Sequence, residues 1–207
     1  DAGLPPGVLN LVTGSGGVVG DALLTDPRVN AISFTGGVET GREVYAKGAK
    51  GLKSVHLELG GKNPQIVLND AQQDLALEGL LFGAFGSAGQ RCTATSRLIL
   101  EKGIYREFLE KLVARVERLK VGDPLDPSME MGPVASEDQE RKILGYMEAA
   151  RKEGDRLLTG GKKLTGGAYD RGYFLAPTVF ETTHGHRISK EEIFGPVLAV
   201  LRVDDFA

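Results

Sequence analysis

The glycines constrain this chain most. There are 29 of them in 207 residues, about twice the usual share of ~7%, and they gather where short apolar runs stop. Val8–Val12 runs into Gly14, Gly16, Gly17 and Gly20, with a short helix through Ala22–Leu24 after them. Ala31–Phe34 is followed by Gly36-Gly37 and a helical pattern over Val38–Lys47, and Val55–Leu59 by Gly60-Gly61. Parallel strands cannot be joined by a tight hairpin and need a crossover, usually a helix. The rhythm of strand, glycine turn, helix and strand therefore predicts an α/β fold with a parallel sheet.

The remainder continues the pattern. Gln65–Leu68 reads as a strand, with Asn69 or Asp70 as the N-cap of a helix over roughly 71–88. That helix is apolar nearly all round, which predicts burial. Gly79, Gly83 and Gly86 form one bare stripe on it, as expected where another backbone comes close. Arg97–Leu100 is a strand. Tyr105, Phe108, Leu109, Leu112, Val116 and Leu119 repeat at the spacing of a surface helix. After a proline-bearing loop over Gly122–Pro133, Ser136 to Gln139 fits a capping box opening a helix to about Lys152, which Gly154 ends. Leu157–Thr159 and Val197–Val203 complete the strands, with a glycine-rich surface loop at 160–172. No internal repeat is present.

Composition closes several routes. Hydrophobic residues at 41% and charged residues at 26% are those of a globular chain and not of a disordered one. No stretch approaches the ~20 apolar residues of a membrane helix, and the first residues carry no signal-peptide pattern. A net charge of -3 without a long basic run offers no footprint for nucleic acid. The single cysteine excludes an internal disulfide and a multi-thiolate metal site, and it suits the reducing cytoplasm.

Three places can carry chemistry. Cys92 lies in Gly89-Gln90-Arg91-Cys92-Thr93-Ala94, between a buried helix and a strand, with a cation beside it that would favour the reactive thiolate. Glu58 comes at the carboxyl end of the strand Val55–Leu59, on the face opposite Val55, Leu57 and Leu59 and on the same face as His56. That carboxyl end is where open α/β sheets bind ligands, and a half-buried carboxylate there can serve as a general base. The turn from Phe34 through Gly41 leads from strand to helix and aims free N–H groups at an anion. Gly14–Gly20 only loosely follows G-x-G-x-x-G, and Phe34 and Thr35 stand where the acidic ribose ligand would end the next strand. His184-Gly185-His186 has no carboxylate or thiol near it in sequence and reads as a solvated loop, so no metal site is expected. A cysteine hydrolase or thioesterase pairing Cys92 with His56 remains a rival, as does a scaffold that keeps the fold without catalysis.

Four segments together, Phe34-Thr35-Gly36-Gly37 with Gly41, Leu57-Glu58-Leu59-Gly60-Gly61-Lys62, Gly89-Gln90-Arg91-Cys92 and Glu191-Glu192-Ile193-Phe194-Gly195-Pro196, resemble the aldehyde dehydrogenase superfamily in order and spacing. The resemblance spans essentially the whole chain. It implies oxidation of an aldehyde to a carboxylic acid with NAD or NADP. Cys92 would attack the carbonyl to give a thiohemiacetal, hydride would pass to the nicotinamide, and Glu58 would activate the water that hydrolyses the thioester. The Cys92 N–H would form part of the oxyanion hole. Gly36, Gly37, Gly41 and Leu59 would belong to the nucleotide-binding turn, Glu192 would hold the nicotinamide ribose, and Phe194 would pack near the ring. Gly37 replaces the Ser of many relatives and removes one hydroxyl contact. The run Gly89 to Arg97 is similar to that of relatives acting on semialdehydes.

The resemblance further implies a Rossmann-like fold of which 1–60 is the second half of the NAD(P)-binding domain and 61–207 most of the catalytic domain. Asp1 stands where a Met would open a chain, and the apolar run Val197–Val203 nearly reaches Ala207. The expectation is a central fragment of a longer chain, inactive alone, from a protein that assembles as a homodimer or homotetramer.

Overall fold

A computed structural model describes residues 3–205. The chain divides into two compact units, Asp1–Gly60 and Gly61–Ala207, each with its own sheet. No helix among the described residues is long and apolar enough to cross a membrane.

In the first unit, β1 (Ala31–Gly36) and β2 (Ser54–Leu59) run parallel, with Thr35 opposite Glu58 and Gly36 opposite Leu59. The crossover is α2 (Val38–Lys50), preceded in the chain by the short α1 (Asp21–Thr25). Two glycines let α2 lie close to β2. A Cβ at Gly48 would meet Val55 Cγ2 at 2.5 Å, and one at Gly41 would meet Leu59 Cδ2 at 2.7 Å. Val8–Val12, expected as a strand, is irregular and exposed. Its residues have β propensity, but no described strand lies beside it to share a hydrogen-bond ladder.

The second unit holds a five-stranded sheet in the order β3-β4-β7-β6-β5. The strands are β3 (Asn63–Val67), β4 (Thr95–Glu101), β5 (Arg156–Thr159), β6 (Thr178–Glu181) and β7 (Val197–Val203). All neighbours are parallel except β5, which runs antiparallel on β6. Three longer helices accompany the sheet: α3 (Gln73–Phe85), α4 (Tyr105–Val116) and α5 (Glu137–Lys152). Leu80, Phe85, Leu98, Leu100, Phe108, Leu112, Ile143, Met147 and Phe180 form its fully buried centre. A fourth helix, α6 (Arg187–Lys190), is one turn long. Neither β6 nor α6 is evident from the periodicity, being too short for a repeat to show.

Helix α3 departs from expectation in three ways. It stops at Phe85 and not near 88, and its N-cap is Gln72, without a side-chain cap. It is also open on one side, with Leu75 and Phe82 exposed. Of the glycine stripe, Gly83 is where a side chain cannot fit, since its Cβ would stand 2.5 Å from Thr95 Oγ1; Gly79 faces open space.

Candidate active site

Where α3 ends, the backbone turns left-handed for three residues: Ser87 (φ 54°), Ala88 (φ 53°) and Gly89 (φ 67°). Non-glycine residues in this region cost on the order of 1 kcal/mol each and persist only where their surroundings fix them. Here the surroundings do. A Cβ on Gly89 would fall 2.3 Å from Gly195 O and 2.9 Å from Ala84 O. Gln90 Oε1 accepts from the Ala135 N–H at 3.0 Å. Asn63, first residue of β3, donates from Nδ2 to Cys92 O at 2.7 Å and to Ala94 O at 3.0 Å. The turn so braced presents Cys92 with an exposed thiol.

Arg91 does not do what its place in the sequence suggests. Its guanidinium donates to Phe82 O at 2.8 Å and Gly83 O at 3.3 Å and lies 4.6 Å from the centroid of the Phe82 ring. It closes the C-terminal end of α3, where carbonyls lack intrahelical donors, so its charge is committed to those carbonyls.

The segment from Glu191 to Pro196 meets the cysteine turn through Gly195. Phe194 has φ 58° and is held by Gln139, whose Nε2 donates to Ile193 O at 3.0 Å and Phe194 O at 2.7 Å. Ser136 caps α5 through the Gln139 N–H at 3.2 Å. Half of the expected capping box therefore forms, and the Gln139 side chain is diverted to brace Phe194. The two glutamates separate in role. Glu191 accepts from Tyr146 Oη at 2.7 Å and Arg187 Nε at 2.9 Å, and these bonds hold its carboxyl below the usual range. Glu192 is half-buried and has no such partner among the described residues.

Lys62 lies in the same unit with its Nζ buried and without an acceptor. Burial pushes its ammonium down to about 7, Arg97 adds to the shift, and Glu192 and Glu191 oppose it. The folded state thus binds this proton less readily than an unfolded chain, whose lysine titrates near 10.5. Between pH 7 and 10.5 the unfolded state carries more protons, so folding stability rises with pH, by up to ~1.4 kcal/mol per pH unit. Urea unfolding of the wild type and Lys62→Met across this window should show the wild type gaining on the variant as pH rises. A difference that stays flat or falls would contradict the assignment.

In the first unit, the residues singled out for cofactor and base converge at the carboxyl ends of two parallel strands. Gly36 and Leu59 are register partners, and Glu58 precedes Leu59. Gly37 is the N-cap of α2 with an extended backbone, no side-chain cap bond and open space around it. That leaves the first N–H groups of the helix available to an anion. Gly41 is buried, and its visible task is to admit Leu59. Glu58 differs from expectation. Its side chain is 66% exposed, not half-buried, and it sits 3.0 Å from His56 Nε2. It lies on the solvent side of a strand that buries Val55, Leu57 and Leu59 in part.

All 207 residues match the model of the aldehyde dehydrogenase family. The chain belongs to that family. Among relatives of this aldehyde dehydrogenase family member, the alpha-ketoglutaric semialdehyde dehydrogenase of Bacillus subtilis is 48% identical over 99% of this chain and 42% of its own length. The mitochondrial aldehyde dehydrogenase of Homo sapiens is 47% identical over 98% and 39%. Two solved structures superpose with a TM-score of 0.95: HpcC from Thermus thermophilus, 44% identical, and betaine aldehyde dehydrogenase from Staphylococcus aureus in complex with NAD+, 39% identical. Each is covered over 40% of its length by 98% of this chain. The chain thus spans about two fifths of the aldehyde dehydrogenases it matches.

Proposed function

We propose that this chain is part of an NAD(P)+-dependent aldehyde dehydrogenase, with residues 1–60 contributing to nucleotide binding and 61–207 to catalysis. The observation that carries the reading is the exposed Cys92 just after a left-handed turn, in a loop braced by Asn63 and by the segment bearing Glu192 and Phe194. A thiol needs that exposure to reach a substrate, and the bracing fixes its approach.

Each unit by itself carries groups whose chemistry suits part of a dinucleotide. The uncapped start of α2 behind Gly36 and Gly37 suits a diphosphate. The half-buried Glu192, with no hydrogen-bond partner among the described residues, suits ribose hydroxyls, and Phe194 supplies an apolar wall. When bound, the nicotinamide supplies the acceptor for a hydride.

Cys92 reacts as the thiolate, its proton having passed to solvent, and Sγ forms a bond to the aldehyde carbon as the carbonyl π electrons move onto oxygen. The Cys92 N–H, which no described group accepts while Asn63 donates to the Cys92 carbonyl, would receive that oxyanion. After oxidation the acyl group is a thioester on Cys92. Glu58 takes a proton from water, the water oxygen bonds to the acyl carbon, and the C–S bond breaks to return the thiolate and release the acid. The wet surroundings of Glu58 suit a base that must admit water. The substrate class extends to semialdehydes, supported by similarity to the Bacillus subtilis enzyme named for one.

Glu58→Gln separates the steps. Stopped-flow mixing of the complete enzyme with aldehyde and NAD+ should give a burst of NADH near one per site, followed by turnover slowed ~100-fold or more, within the range for a lost general base. Unchanged steady-state turnover would remove Glu58 from deacylation, and loss of the burst would move its role to the earlier steps. Ester turnover that requires His56 and ignores NAD+ would replace the whole reading with a hydrolase. The 207 residues alone are expected to reduce little or no NAD+.

A further inference from the structure

The turn between α5 and β5, Glu153-Gly154-Asp155, faces His186, the residue preceding α6. His186 Nδ1 is 2.7 Å from Asp155 Oδ1, and Glu153 Oε2 accepts from the Arg187 N–H at 2.7 Å. One ligating atom from each of Glu153, Asp155 and His186 lies within 4.8 Å of the others. The Asp155 side chain is 1% exposed, yet its Oδ2 has no hydrogen-bond donor. A buried carboxylate oxygen with empty lone pairs is costly unless a proton or a cation meets it. Neither Asp155 nor Glu153 is paired with a Lys or Arg side chain among the described residues; nearby Arg156 pairs with Glu181 and Arg187 with Glu191. Asp155 and His186 also line a cavity of about 670 Å³ that His184 borders, which gives an ion a way in.

We propose that Glu153, Asp155 and His186 bind one divalent transition metal of the zinc type, with water in the remaining position. The donor set decides the class. One imidazole with two carboxylates suits zinc, whereas calcium and magnesium take oxygen ligands in larger number or stricter octahedra. Zinc bonds of ~2.1 Å put tetrahedral donors ~3.4 Å apart. Asp155 is the fixed anchor, and the exposed Glu153 and part-exposed His186 can rotate to close the gap. Bound metal would pin the α5–β5 turn to the segment that runs through α6 into Glu191–Pro196.

The test is calorimetric titration of tag-free, metal-stripped protein with zinc, in a Cys92→Ser background because an exposed thiol also binds zinc. One equivalent with micromolar or tighter Kd and a raised Tm are expected. His186→Gln and Asp155→Asn should each weaken binding at least ~100-fold, and the visible bands of bound cobalt should vanish in His186→Gln. If Asp155→Asn does not fold, the part-exposed His186 decides alone. Binding unchanged in His186→Gln, no saturable equivalent below millimolar, or calcium binding as tightly as zinc would each overturn the proposal.

Discussion

Cys92→Ala should lower aldehyde oxidation by the complete enzyme at least ~1000-fold while leaving the fold intact. Losing a nucleophile removes the covalent route, and single knockouts of this kind cost more than most first-contact changes. Stability should hardly move, within ~0.5 kcal/mol, because the thiol is exposed and fills no core space. The measurement is steady-state NADH production beside a thermal melt of both proteins. Iodoacetamide should alkylate the wild type at neutral pH and stop turnover in the same proportion. Appreciable oxidation by Cys92→Ala at an unchanged KM would mean that the thiol is a bystander. A sluggish thiol would favour a scaffold without catalysis.

Gly89→Ala should be among the most destabilising substitutions in the chain. The residue has φ 67°, and the new methyl would stand 2.3 Å from Gly195 O, 2.7 Å from Gly195 C and 2.9 Å from Ala84 O. Every obstacle is main chain, so no rotamer change relieves it. A left-handed alanine alone costs ~1–2 kcal/mol, and displaced packing commonly adds ~1–3 kcal/mol. Together they predict a Tm drop of roughly 10 °C for a unit of this size. Gly37→Ala is the control, since its backbone is extended and nothing lies within 4 Å of the added carbon. Equal Tm losses in the two variants would mean that the contact between Gly89 and Gly195 is not what holds the cysteine turn. Because that contact joins the turn to the segment bearing Phe194, the folded fraction of Gly89→Ala should also lose activity.

The separate roles of Glu191 and Glu192 show how far local pattern reaches. Side by side in the sequence they read as one solvated pair. In the structure Tyr146 and Arg187 hold the first, while the second stays free and half-buried beside the charge of Lys62. The same holds for His186. Without a carboxylate near it in sequence it reads as a loop residue, and Asp155, 31 positions earlier, meets it only after β5 is placed. Arg91 looks like the activator of its neighbour and instead closes a helix nine residues back.

What the sequence alone determined is whatever repeats over a few residues: the surface helix at Tyr105, the Ser136 cap, the strands before each glycine turn of the sheet, and the four motifs that mark the family. These depend on backbone geometry within one or two turns, which neighbouring residues dictate. The structure alone decided that Val8–Val12 forms no strand, that α3 stops at Phe85, that Glu58 is open to solvent, and that Asn63 and Gln139 brace the two loops. A ladder needs a partner strand, and burial and bracing depend on which distant residue arrives opposite. A single strand or loop carries no record of that partner.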